Sequence, residues 1–273
     1  MKLFAISDVH LRHPENREAP RALPACPDDW LILGGDIGET LEHLEFALRT
    51  LGPRFKKLVW VPGNHDLWSL PGDVGPSRGE ARYQELVALC RQHGVLTPED
   101  PYPLWPGDGG PCVIARLFLL YDYSFRPPGI PASQALEWAM EAGVLCADEA
   151  LLHPDPYPSR QAWCAARCEW TAARLEQIGK EQQTVLINHF PLREDLVRLR
   201  WIPRFSLWCG TQRTADWHLR FRARVVVSGH LHMPATDWRD GVRFEEVSMG
   251  YPSQWMGRRR MESLLREILP GPA

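Results

Sequence analysis

Five short apolar runs in this chain end abruptly in carboxylate, imidazole or amide side chains, and that arrangement leaves few folds open. Leu3–Ser7 meets Asp8-Val9-His10, Trp30–Gly34 meets Gly35-Asp36, and Leu58–Pro62 meets Gly63-Asn64-His65-Asp66. Thr184–Asn188 ends in Asn188-His189, and Val225–Ser228 meets Gly229-His230-Leu231-His232. With Val113–Leu120, these runs read as buried strands bounded by turn signals. Helix-period stretches lie between several of them, at Leu41–Leu51, Glu80–His93, Ser133–Ala142 and Arg160–Ile178. Strand alternating with helix predicts an α/β layered fold. Side chains at the C-terminal ends of such strands converge, so the polar tips together form a candidate metal-ligand set.

A length of 273 residues suits one α/β domain, expected over 1–273 with lid loops near 69–111 and 190–210. Those loops are the stretches rich in Pro, Gly and Trp (Ser69–Gly79, Pro98–Pro111 and Phe190–Gly210), too long for plain connections. Asp240-Gly241 predicts a half-exposed hairpin between Ala235–Arg239 and Val242–Val247, and a short helix is expected at Met261–Leu269. The start reaches Asp8 with no signal-peptide core, and no window approaches the roughly 18 apolar residues of a membrane span. Seven scattered cysteines without zinc-ribbon spacing fit a reducing compartment, so a cytoplasmic location is expected. Cys164 and Cys168, one helical turn apart, read as core thiols.

Taken singly, Asp-x-His or Gly-Asp is more often a turn or cap than a ligand pair. In order, each after a strand, they are not explained by turns. The histidines outside the motifs (His13, His43, His93, His153 and His218) lack partners at useful spacing and read as surface or core residues. Trp68, Trp105, Trp163, Trp170 and Trp201 read as core packing, while Tyr123, Tyr251 and Trp255, following strand ends, suit either core or pocket wall.

The ordered set Asp8/His10, Asp36, Asn64/His65, His189 and His230/His232 resembles the calcineurin-like metallophosphoesterases. The resemblance implies a four-layer α/β/β/α sandwich. It also implies one metal ion on Asp8, His10, Asp36 and His232, and a second on Asp36, Asn64, His189 and His230. Two such ions about 3.5–4 Å apart clamp a phosphoryl group and lower the pKa of a bound water toward ~7. Imidazole, carboxylate and amide donors suit transition metals, with manganese or iron expected. The resemblance implies that His65 is not a ligand but faces the phosphate, where it steadies the transition-state charge or protonates the leaving oxygen, with Asp66 as its partner.

Beyond the metal motifs, three aromatic-rich blocks resemble the phosphopantetheinyl hydrolase subgroup. They are Phe118–Phe125, Phe205–Thr211 with Thr214–His218, and Gly241–Ser248 with Gly250-Tyr251-Pro252 and Trp255. That implies a phosphodiesterase acting on holo-acyl carrier protein as its partner. Asp36 is followed by Ile37-Gly38-Glu39 rather than the Asp-Arg-Gly of protein Ser/Thr phosphatases, which argues against that activity. The alternative is a nuclease or another small-substrate phosphodiesterase using the same metal centre, the nuclease because residues 191–273 carry 14 Arg and no Lys against 9 Asp plus Glu. That net +5, within an overall charge of −3, leaves −8 for the first 190 residues, so a nucleic-acid partner is the weaker expectation. The Arg258-Arg259-Arg260 cluster is instead expected to dock an acidic carrier at the groove rim.

Overall fold

Successive residues of the central strands enter different cores, which is what apolar side chains on both strand faces require. The computed structural model describes residues 1–71, 77–259 and 261–271. The strands are β1 (Leu3–Ile6), β2 (Cys26–Leu33), β3 (Phe55–Trp60), β4 (Leu104–Trp105), β5 (Cys112–Arg116), β6 (Thr184–Ile187), β7 (Ala223–Ser228), β8 (Ala235–Arg239), β9 (Val242–Glu246) and β10 (Arg266–Leu269). They form two sheets, ordered β10-β1-β2-β3 and β4-β5-β6-β7-β9-β8. Ala5, Ile32, Val59, Ile114, Val185 and Val225 fill one buried cluster shared by both sheets. Their neighbours Ile6, Leu31, Leu58, Ala115, Leu186 and Val226 belong to another, with Leu44, Leu86 and Trp163 from helices. Helix, sheet, sheet and helix thus stack as four layers.

The expected helices are present at Leu41–Leu51, Gly79–Gln92, Ala135–Met140 and Arg160–Leu175. Two carry side-chain N-caps, Thr40 accepting from the His43 amide and Ser159 from the Ala162 amide. Cys164 and Cys168 are buried thiols, as expected. Among the described residues no helix is long and apolar enough to cross a membrane.

Three expectations need correction. Residues 261–269 are not a helix but a 3-10 turn followed by β10, which pairs antiparallel with β1 (Leu3 opposite Leu269). The free edge of β1 and burial of Ile268 and Leu269 between the sheets override a pattern too short to separate helix from strand. Pro98–Pro111 is no lid, because β4 pairs with β5 there as a sheet edge and Trp105 is buried. The hairpin forms where expected, but β9 lies between β7 and β8 and is buried throughout. Within it, Glu245 accepts from Thr236 and lies 3.3 Å from Arg243.

Strands β1, β2 and β3 run parallel, as do β5, β6, β7 and β9. One bridge stitches the sheets together where β1 ends. Ser7 donates its amide to Val247 and accepts from the Met249 amide at 2.8 Å. The loops beyond these strand ends hold the site.

Candidate metal centre

The turns that carry the motif residues are bent sharply so that adjacent side chains face one another. Asp8, His10, Asp36, His230 and His232 have φ of 54°, 46°, 52°, 71° and 54°, in the left-handed region. Each such non-glycine residue stores on the order of 1–3 kcal/mol, a concentration typical of functional sites. Gly35, at φ 93°, has no room for a side chain, since an added Cβ would lie 2.6 Å from the Gly63 nitrogen and 2.7 Å from His189 Nδ1.

Asp36 lies at the middle. Its Oδ2 is 3.4 Å from His189 Nε2, 3.9 Å from His65 Nε2 and 4.0 Å from His10 Nε2. Asp8 Oδ1 is 3.0 Å from His232 Nε2, which is 3.0 Å from His10 Nε2. Donor atoms therefore gather into overlapping groups, Asp8/His10/His232, His10/Asp36/His65 and Asp36/His189/His230. Asn64 lines the same cleft as Asp36 and His230.

The unpaired atoms test whether metal suits this cluster. Asn64 Oδ1, His189 Nε2 and His230 Nε2 are buried with no hydrogen-bond partner among the described residues. A buried polar atom left unpaired costs about 1–3 kcal/mol, so three together imply an electrophile. Their tautomers agree. His189 Nδ1 faces the Gly34 carbonyl at 2.9 Å and His232 Nδ1 faces Gln254 Oε1 at 3.0 Å. Those oxygens only accept, so each Nδ1 carries a hydrogen, and Nε2 is the atom left to meet a metal once it gives up its proton.

Electrostatics point the same way. Burial holds the pKa values of His10 and His230 down to about 3, leaving neutral imidazoles, the form that ligates. Burial also opposes charge on His189, but Asp36 and Asp8 outweigh it and raise its pKa to about 10. The two carboxylates thus draw positive charge into the middle of the site.

The supporting groups were only partly legible. Asp66 does not pair with His65. Its carboxylate accepts the amides of Asp36, Ile37, Gly38 and Gly63 at 2.9–3.2 Å, which pins the Asp36 turn. The carboxylate near His65 Nδ1 is Glu39, at 3.5 Å, itself paired with Arg12. Trp68 stacks on His65 with ring centroids 3.7 Å apart. Asp148, on the short helix Asp148–Leu151, accepts from Asn64 Nδ2 at 3.0 Å and Trp68 Nε1 at 2.7 Å. Ser7 and Ser248 donate to Asp8 Oδ2 at 2.6 and 2.8 Å.

A cleft of about 340 Å³ opens over the centre, lined by Asp36, Asn64, His65, His230 and His232 on its floor. Leu145, Leu199, Ile202 and Phe205 form apolar walls, the last three from the 190–210 segment. Tyr251 lines the cleft, whereas Tyr123 and Trp255 are buried beside it, Tyr123 donating to Glu149 and Trp255 to Asn16. Trp105 and Trp163 are core, and Trp68 is buried at the cleft, but Trp170 and Trp201 are 37% and 95% exposed. The other histidines stay apart from the donor groups, with His218 paired to Asp240 and His13 edge-on to Tyr251. Arg259 is tied to the Ser248 and Ser263 carbonyls, which makes it a brace rather than a docking group. Arg258 is exposed, and Arg260 and residues 72–76 lie outside the described residues.

The sequence pattern described as Calcineurin-like phosphoesterase matches residues 1–234. The chain belongs to the calcineurin-like phosphoesterase family. It is 50% identical over 272 residues to the acyl-carrier-protein phosphodiesterase PptH of Mycobacterium tuberculosis, covering 99% of this chain and 84% of that protein. It also superposes on the crystal structure of the phosphopantetheinyl hydrolase PptH from Mycobacterium tuberculosis with a TM-score of 0.95. That match covers 99% of this chain and 96% of the other at 50% identity. Membership makes the chain a phosphoester hydrolase.

Proposed function

We propose that this chain hydrolyses the phosphodiester joining phosphopantetheine to the serine of holo-acyl carrier protein, returning the apo-carrier. The observation that carries this reading is the 50% identity to the carrier-protein phosphodiesterase over 99% of the chain, joined to clustered His and Asp donor groups beneath a cleft. Asp8, His10, Asp36 and His232 would hold one ion and Asp36, Asn64, His189 and His230 the other. Manganese or iron fits donors that are nitrogen and oxygen with no thiolate. When bound, the ions supply charge that orients the phosphate and acidifies water.

The chain's own groups do the rest. Tyr251, stacked on His10 with centroids 4.6 Å apart, and the apolar walls suit a flexible arm whose amides need few partners. His65 faces the cleft, and its imidazolium is favoured by Asp36 and Glu39 against burial. In this reading it would protonate the departing serine oxygen as the serine O–P bond breaks and a water oxygen bonds to phosphorus.

Incubation with Mn²⁺ and holo-carrier, followed by intact mass, tests the reading. Loss of the phosphopantetheine arm is expected. An unchanged carrier mass alongside cleavage of single-stranded DNA would replace it with a nuclease.

A further inference from the structure

The most anomalous surface residue lies at the mouth of the cleft. Trp201 is 95% exposed, although it follows Leu199 and precedes Ile202 and Phe205, all of which line the cleft. The chain thus turns its smaller apolar side chains inward and leaves the largest in solvent, beside Arg200, which is exposed and has no carboxylate partner among the described residues. Ile202 and Leu145 are themselves 47% and 68% exposed, so apolar surface frames the opening. Exposed Arg258 lies four residues beyond Gln254, which lines the cleft, and likewise lacks a partner among the described residues. A Trp and unpaired Arg residues around an apolar mouth have the composition of a binding hot spot, not of an ordinary solvated loop.

We infer that the Arg200–Ile202 lip is the docking surface for the protein half of the substrate, an acidic folded carrier. This rests on the function proposed above, and geometry then decides the rest. The scissile bond lies between a small arm and a folded protein. A cleft of about 340 Å³ admits the arm but not the protein, so the carrier must sit against the rim while its serine phosphate reaches the floor. Trp201 would be buried by that contact, and Arg200 and Arg258 would meet carboxylates flanking the serine.

The test compares wild type, Trp201→Ala and Arg200→Glu on holo-carrier and on a small aryl phosphodiester, all loaded with Mn²⁺. Trp201→Ala should raise KM for holo-carrier about thirtyfold, the scale of a hot-spot tryptophan. Arg200→Glu should raise it about tenfold at low salt and less at high salt, as screened rim charges do. Both variants should cleave the aryl diester like wild type, because neither side chain lines the cleft. Equal losses on both substrates, or no change on holo-carrier, would overturn the docking assignment. Failure of wild type on holo-carrier, with the aryl diester still cleaved, would instead remove the functional reading and the docking surface with it.

Discussion

Asp148→Ala should weaken one metal site without touching a ligand. Asp148 is fully buried and its Oδ1 accepts from both Asn64 and Trp68, so truncation leaves two buried donors unpaired. At about 1–3 kcal/mol each the gross loss is about 2–6 kcal/mol. Burial itself raises the Asp148 pKa, so removing that carboxylate relieves part of the penalty, and a net loss of about 2–3 kcal/mol is expected. At about 2–4 °C per kcal/mol this lowers Tm by about 4–12 °C. The more specific effect is on Asn64, whose amide is then free to flip and turn Nδ2 toward the centre. Loss of such a supporting hydrogen bond typically weakens metal binding about 10–100-fold. Calorimetric titration of apoprotein with Mn²⁺ should therefore show one site weakened and the other near wild type. Asp148→Asn, which keeps an accepting oxygen, should restore most of the affinity. A lower Tm with both sites at wild-type affinity would show that Asp148 supports packing alone and would refute the positioning argument.

Three further outcomes follow from the same geometry. Asp36→Asn should lose both ions together by elemental analysis, since among the described residues Asp36 groups both with His10 and His65 and with His189 and His230; two ions retained would exclude a bridging role. His65→Ala should keep its metal content while kcat on holo-carrier falls about 10²–10⁴-fold, with a smaller loss on an aryl diester whose leaving group needs no proton. Burial works against ionised Asp195, but Arg193 and Arg239 hold its pKa at about 2 rather than 3.8. Its stabilisation of the 191–200 segment is then present above pH 3.8 and lost as pH falls toward 2, and hydrogen exchange there should quicken over that interval.

What could be read in the sequence was whatever depends on neighbours in the chain. Asp8/His10, Asn64/His65 and His230/His232 each lie within two residues of one another after a strand, so strand periodicity located them. The tryptophan stacked on His65 was within reach too, three positions later in the same turn. Asp148 was not, because it meets Asn64 across 84 positions from a four-residue helix that carries no motif. The Asp66 role was misread for a related reason. Sequence adjacency to His65 suggested a side-chain pair, whereas four amides of two turns compete for that carboxylate and win. Trp201 defeats composition rules altogether, since only the fold shows which side of the 199–202 turn faces the cleft. Residues 266–269 became a strand because β1 offers an edge, and edges are properties of the assembled sheet.

Hydrolysis of holo-carrier in ¹⁸O-enriched water tests the central claim most directly, with both products analysed by mass. Water attack at phosphorus, with the serine oxygen leaving, places the heavy oxygen in the released phosphopantetheine and none in the carrier, whose serine is restored. Label in the serine, a dehydroalanine in its place, or an intact arm after prolonged incubation with Mn²⁺ would contradict the account.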